Sequence, residues 1–420
     1  MTLQQTIDYA RRRFVELWVR LLTDHPGFQE GEGELRRNEV TETVTEARDV
    51  LDQGEALPAE WNALVQLQAL DEFLAEHSGT SSTGVDIQLG LPVRMEDGQV
   101  HFLYRRPQGM KQALVIGKMG HLRRWARHHQ VLPEQLRGYQ IALIRPSDYL
   151  FQQLSLMQAR RERLKVAFVR FEDGVTPKWM AQHLPQRLRA ETLTDPETRW
   201  ATMSRFLDAA RSAGAHVLVL PELTVSPELR LRVQGWLDEQ SGNHSLLMVL
   251  PGTFHERDNK GKPGEVVNRT ELLDAYGQPL LVHHKLLRFG GWEGAVEDIN
   301  VGKRIELLSL PLGLLTIPIC LDFCEADQPL PEVWKELAPA WLLVSALGDG
   351  SSRRAHATAA KSLFTTRRSI TVLANQPKTP GAPAPGFVCD SPGRDPTRWD
   401  DETPGASFEM VEVDISLEDP

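Results

Sequence analysis

Glu222, Lys285 and Cys320 each stand at or beside the end of an apolar run: VLVLPE closes on Glu222, LLVHHK on Lys285 and TIPIC on Cys320. In α/β proteins, functional side chains gather at strand ends, where loops open a crevice. A thiol, a carboxylate and an ammonium together meet the needs of nucleophilic acyl transfer: the thiolate attacks, the carboxylate manages the proton, and the cation faces the oxyanion. A neighbouring ammonium also favours thiolate over thiol. Each residue alone has a plainer reading. Cysteine is among the most buried residue types, a Pro-Glu after a strand is commonly a turn with a solvated acid, and a Lys after two histidines is commonly a surface residue. Their joint order is what points to chemistry.

The elements that must carry these residues follow from periodicity. From Lys165 onward, apolar runs alternate with helical stretches: KVAFVRF, a long helical segment through Trp200, Phe206 and Ala210, then AHVLVLPEL, LLMVLPGTF, VVNRTELLD, LLTIPIC, WLLVSAL, SITVLANQ and FEMVEVDI. Strands separated by helices predict α/β layering, and unbroken apolar runs predict strands covered on both faces. Residues 1–80 read as helical. Ile7, Ala10, Phe14, Leu17 and Leu21 fall at three- and four-residue steps, and a further helix starts near Pro58 and runs through Trp61, Leu64, Leu67 and Leu74. HSGTSSTG reads as a linker, and DIQLGLPVRMEDGQVHFLYR as two strands around an Asp-Gly turn. The organisation expected is therefore a helical region over 1–80, a mixed α/β accessory region with a basic surface over 81–163, and an α/β domain over 164–420.

Composition narrows the function classes. With 41% hydrophobic and 25% charged residues over 420 positions, the chain has the make-up of an ordinary globular protein. It contains no apolar run long enough to span a membrane, and MTLQQTIDYARRRF lacks the apolar segment of a secretory signal. Three cysteines, Cys320, Cys324 and Cys389, do not make a disulfide framework, which favours a reducing compartment. A cytoplasmic location is expected. The net charge of -10 is uneven: residues 1–100 are acidic, whereas Arg105 to Arg170 is basic through Arg123, Arg124, Arg127, Arg160, Arg161 and Arg163. GHLRRWARHHQ is read as an amphipathic basic helix with a buried Trp125 rather than a nucleic-acid surface. Neither nucleic acid nor membrane is expected as a partner. His283, His284, Cys320 and Cys324 fit no metal-ligand spacing, and no Gly-rich phosphate loop is present, so no metal and no cofactor are expected.

In order and context, the three residues resemble the nitrilase, or carbon–nitrogen hydrolase, superfamily. LPE with Glu222, HHKLLRF with Lys285 and ICLDFCE with Cys320 match that family's motifs. KVAFVRF resembles its opening strand, VVNRTELLDAYGQPL its Asn-containing strand and Gly turn, and ALGDG, LANQ and GFVCDSPGRD its late segments. The resemblance covers residues 164–416. It implies a four-layer α-β-β-α sandwich, preceded here by a helical-to-mixed α+β N-terminal region, and a cysteine-dependent hydrolysis of a non-peptide C–N bond, an amide before a nitrile. It also implies roles: Glu222 as general base, Cys320 as nucleophile forming an acyl-enzyme, and Lys285 with the Leu321 N–H facing the oxyanion. A second glutamate would orient substrate or the leaving amine. The candidates are Glu293 and Glu297, and the resemblance of the Glu297 to Gly302 spacing to the family's amidase pattern, a Glu shortly before a glycine, favours Glu297.

Two departures stand out. Leu287 occupies the place where the family usually has a histidine, so a supporting hydrogen bond is absent or replaced. Leu321 replaces the usual aromatic after the cysteine. Both leave the substrate open. A small-molecule amide or related compound and a homodimer or larger homo-oligomer are the partners implied. An alternative reading is a nitrilase-like interaction or effector protein within a larger assembly, such as host defence or signalling, in which residues 1–160 recruit a protein partner.

Overall fold

The computed structural model describes residues 1–24, 38–59, 61–77, 90–106, 126–182, 187–258, 265–292, 295–327, 329–377, 385–396 and 407–415. The chain divides into two compact units, Met1–Leu136 and Arg137–Pro420.

The first unit begins with three helices, Leu3–Asp24, Asn38–Asp52 and Ala63–His77. The stripe predicted for the first helix is the one buried: Ile7, Ala10, Phe14, Leu17 and Leu21 join a core with Leu64, Leu67, Leu70 and Phe73. Strands Leu91–Arg94, Val100–Arg105 and His129–Pro133 form an antiparallel sheet. The first pair turns as the Asp-Gly signal predicts, with Gly98 at φ +83 and the Asp97 carboxylate accepting the Gln99 N–H. His129 and Gln130 lie in a strand, so the basic helix expected over 120–130 does not extend to them; residues 120–125, with Trp125, lie outside the described residues, as does nearly all of the linker-like HSGTSSTG.

The second unit is a mixed α/β structure on two large sheets. One runs in the order Phe254–Arg257, Val266–Asp274, Met248–Leu250, Val217–Val219, Arg163–Val169, Phe408–Asp414, with Pro279–His284 also paired to Val266–Asp274. The other runs Gly386–Cys389, Ile370–Gln376, Trp341–Leu347, Gly313–Thr316, Arg304–Leu310, Tyr139–Ile144. Val217–Val219, Met248–Leu250, Gly313–Thr316, Trp341–Leu347 and Ile370–Gln376 are each parallel to a neighbour and buried along almost all their length, as their unbroken apolar runs predict. Val266–Asp274 is instead antiparallel to its neighbours. Ile370–Gln376 lies against Arg163–Val169 of the first sheet. Helices Pro196–Ser212 and Pro227–Glu239 contribute Phe206, Leu207, Leu229 and Val233 to a core with Ala167, Val169 and Leu218. Both helices start where a side-chain cap and a proline dictate, at Asp195–Pro196 and Ser226–Pro227.

Two differences from the sequence reading follow from pairing. Tyr139–Ile144 is held by parallel pairing with Arg304–Leu310, which places residues 137–163 in the second unit rather than in an accessory region. The stretch before Trp200 is not all helix: Pro177–Gln182 and Arg187–Leu193 form strands, and with Gly290–Trp292 and Ala295–Glu297 they make a small separate sheet. Pro177–Gln182 and Arg187–Leu193 are interrupted by Lys178, Arg187, Arg189 and Glu191, so they lack the apolar runs that mark the main sheets.

Candidate active site

Glu222, Lys285 and Cys320 reach one buried point by three local devices. After Val217–Val219 the chain turns at Pro221-Glu222-Leu223, with Leu223 at φ 56. The Glu222 N–H donates to Ala346 O at 3.2 Å, and Gly252 backs onto Pro221 so closely that a Cβ there would meet Pro221 O at 2.4 Å. Lys285 leaves strand Pro279–His284 with its N–H donating to Asn268 O at 2.9 Å and its carbonyl accepting from Gly302 at 2.8 Å. A Cβ at Gly302 would lie 2.4 Å from His284 O, so glycine is needed at that crossing. Cys320 follows the parallel bridge of Ile319 to Ser345 and donates its N–H to Ser345 O at 3.0 Å. It sits at φ 46, ψ -106, as the elbow before the short helix Leu321–Cys324. A non-glycine residue there carries roughly 1–3 kcal/mol of backbone strain, held by its surroundings.

The side chains form one network. Lys285 Nζ donates to Glu222 Oε1 at 2.7 Å and to Glu297 Oε2 at 2.8 Å. Asn268 Nδ2 bridges the same carboxylates, reaching Glu222 Oε1 and Glu297 Oε1 at 3.0 Å each. His255 Nδ1 accepts the Ala190 N–H at 2.8 Å, which leaves the ring proton on Nε2 for Glu297 Oε1 at 2.9 Å. The Phe289 N–H donates to Glu297 Oε2 at 3.0 Å. Cys320 Sγ lies 3.8 Å from Leu347 O. Cys320 is 3% exposed, Glu222 and Lys285 2% and Asn268 0%, so these charges act in a low-dielectric setting.

The electrostatics set resting protonation states. Burial disfavours the Lys285 ammonium, but Glu222, then Glu297 and Cys320, outweigh it and hold its pKa well above the ordinary value. Burial likewise opposes the charged form of Glu297, and Lys285 and the His255 hydrogen bond overcome this, holding the carboxyl well below the usual range. Burial and the adjacent Glu222 carboxylate push the Cys320 thiol up, against the pull of Lys285. Cys320 therefore rests as a thiol.

Asp322, two residues after Cys320 and 0% exposed, ties the cysteine elbow to the lysine loop. Its carboxylate accepts the Leu286 and Leu287 N–H groups at 2.9 Å and pairs with His283 Nε2 at 2.9 Å. Trp334 Nε1 donates to its carbonyl at 2.7 Å. This answers the departure at Leu287. The side chain there cannot hydrogen-bond, but its backbone does, and His283 on the other side of Lys285 supplies the imidazole.

Of the residues read from the sequence, Glu222, Lys285, Glu297 and Cys320 come together, and Leu321 is the first residue of the short helix that follows Cys320. Glu293 lies outside the described residues. Asn268, His255, His283 and Asp322 had no role in the sequence reading. Asn268 and Asp322 were visible as parts of recognised motifs; nothing in PGTFHER marked His255.

No family model matches the chain, and no curated protein matches it. Among solved structures, an amidase from Nesterenkonia sp. is similar at 17% identity with a TM-score of 0.43, covering 60% of this chain and 91% of the amidase. Nit3 of Saccharomyces cerevisiae, described as a member of branch 10 of the nitrilase superfamily, is similar at 16% identity and TM-score 0.43, over 60% of this chain and 90% of Nit3. A mutant of the amidase from Nesterenkonia sp. AN1 in complex with butyramide is similar at 16% identity and TM-score 0.42, over 61% of this chain and 94% of its own. At such identities the chemistry has to be read from this chain's own residues.

Proposed function

We propose that the protein is a cysteine-dependent carbon–nitrogen hydrolase of nitrilase type, with the second unit folded as that family's four-layer α-β-β-α sandwich and an amide as substrate. One observation carries this reading: in a buried cluster beside Cys320, the Glu222 carboxylate and the Lys285 ammonium each keep a hydrogen-bonding position that no described residue fills. Lys285 spends two of its three N–H bonds on Glu222 and Glu297, leaving the third. Among the described residues Glu222 receives its donors on Oε1 alone, and its carboxylate acts on the Cys320 thiol.

The sequence of steps follows from these positions. Glu222 accepts the thiol proton as Sγ attacks the carbonyl carbon. The tetrahedral oxyanion faces the third Lys285 N–H and the Leu321 N–H, in surroundings where preorganised donors act without reorganising. Glu222 returns the proton to the nitrogen as the C–N bond breaks, leaving a thioester on Cys320. Water then attacks the thioester, giving its proton to Glu222, and the proton returns to Sγ as the acid leaves.

The test is a screen of amides, nitriles, carbamoyl compounds and ureido acids against wild type and Cys320→Ala. Hydrolysis lost in the variant and a trapped acyl group on Cys320 support the reading. Equal turnover in both proteins, or labelling of Cys320 by iodoacetamide no faster than that of Cys389 at neutral pH, would sink it.

A further inference from the structure

The two buried carboxylates of the site differ in how many of their acceptor positions are filled. A carboxylate offers about four lone-pair directions. On Glu297, Oε1 accepts from His255 Nε2 at 2.9 Å and Asn268 Nδ2 at 3.0 Å, and Oε2 accepts from Lys285 Nζ at 2.8 Å and the Phe289 N–H at 3.0 Å. All four positions are taken. The small sheet enforces this arrangement: strand Arg187–Leu193 pairs Leu188 with Glu297 and, through the Ala190 N–H, fixes the tautomer in which His255 must donate. Glu222 differs. Oε1 takes Lys285 and Asn268, and Oε2 receives no backbone, amide or ammonium donor among the described residues.

We propose that Glu297 does not meet the substrate but is a fixed counter-ion that aims Lys285, with His255 as the positioning residue that completes its donor set, and that the open oxygen of Glu222 receives the substrate's N–H. This rests on the hydrolase reading and departs from the role that family resemblance implies for the second glutamate. The two acceptor positions of Glu222 Oε2 suffice for both tasks: one for the Cys320 thiol proton, one for the amide N–H. That places the nitrogen beside the group that must later protonate it. An ionised Glu297, far below its usual range, fits a counter-ion and not a proton carrier.

Acrylamide and methyl acrylate separate the roles, because they share one electrophile and differ in carrying or lacking an N–H. Each adds Sγ to its terminal carbon, and the thiol proton goes to the adjacent carbon. Adduct formation at Cys320 of the full-length protein is followed by peptide mass spectrometry, with glutathione as the reference thiol. The ratio of acrylamide to methyl acrylate rates at Cys320 should exceed that of glutathione by about tenfold, the value of one hydrogen bond to a charged acceptor. Glu297→Gln should slow both reagents together and keep the ratio within about twofold, because a positioning role does not distinguish them. Glu297→Asp, which keeps the charge and shortens the reach, should do the same and guards against misfolding of the amide variant. Glu222→Ala should bring the ratio down to that of glutathione. A ratio that collapses in the Glu297 variants and survives in Glu222→Ala overturns the proposal, as does a wild-type ratio equal to that of glutathione. Slow absolute labelling of Cys320 with an elevated ratio would instead count against the hydrolase reading alone.

Discussion

Asp71 of the first unit and Glu222 of the second are both buried carboxylates, exposed 1% and 2%, and they are treated in opposite ways. Asp71 projects from helix Ala63–His77 and accepts the N–H groups of Arg127, His128 and His129 at 2.6, 2.8 and 2.9 Å, and His129 Nδ1 at 2.9 Å. Every position on it is spent on holding a chain segment. Glu222 has one oxygen that receives no backbone, amide or ammonium donor among the described residues, and its carboxylate acts on the Cys320 thiol. A buried carboxylate that is fully satisfied stabilises a fold. One left partly open at low dielectric is destabilising unless a ligand or a reaction completes it, so an open valence marks chemistry where saturation marks structure.

This contrast can be broken from the reactive side first. Cys320→Ala should lower amide hydrolysis by at least about a thousandfold while the protein melts within a few degrees of wild type, since the deleted atom is small. Glu222→Gln should cost about a hundred- to ten-thousandfold in turnover, the range of a lost general base, measured as initial rates on the same amide. Asp322→Asn falls between the two kinds of carboxylate. It would turn an amide NH2 or a weaker acceptor toward the Leu286 and Leu287 N–H groups, costing about 2–3 kcal/mol in denaturant unfolding and about tenfold in rate as Lys285 and Cys320 lose registry. Asp71→Asn should cost a similar about 2–3 kcal/mol in the first unit yet leave the rate of Cys320 alkylation unchanged. A rate change there as large as that of Asp322→Asn would erase the distinction.

The smallest expected effect is in the pH dependence of melting. Glu297 is held below its ordinary 4.5, so its stabilisation is fully present above that value and is lost as pH falls through the lower folded value. Lys285 is held above its ordinary 10.5, so its stabilisation is present below that value and is lost as pH rises through the folded one. The Cys320 thiol lies above its ordinary 9.0, so the unfolded chain ionises first and stability declines above that pH. Glu297→Gln should therefore flatten the acid limb of the melting profile, and Cys320→Ala the alkaline limb between 9.0 and the folded value. Unchanged limbs in both variants would show that these groups do not titrate with folding.

Much of the site was legible because its first three members lie at strand ends in local patterns that sequence displays directly. VLVLPE and TIPIC are continuous apolar runs, and a doubly covered strand must be such a run. The boundary of the second unit was misplaced for a related reason: YQIALI is too short a run to reveal that its partner is Arg304–Leu310, far along the chain. The short strands Pro177–Gln182 and Arg187–Leu193 were missed because charged residues interrupt their apolar positions. His255 could not be recognised, since its role depends on Ala190 and Glu297, 65 and 42 residues away.

The sequence by itself determined which reactive groups the chain owns and that Glu222, Lys285 and Cys320 sit where strands stop, because alternation, burial and turn chemistry are local. Only the tertiary structure decided which of their atoms are occupied. Asn268 lies 46 residues from Glu222 and 29 from Glu297, and it reaches both because Val266–Asp274 pairs with the strand that leads into Lys285. Asp322 meets the lysine loop across 35 or more residues. Hydrogen bonds are made within about 3 Å and saturate, so the difference between a filled carboxylate and an open one is a property of strand register and packing, which no local pattern encodes.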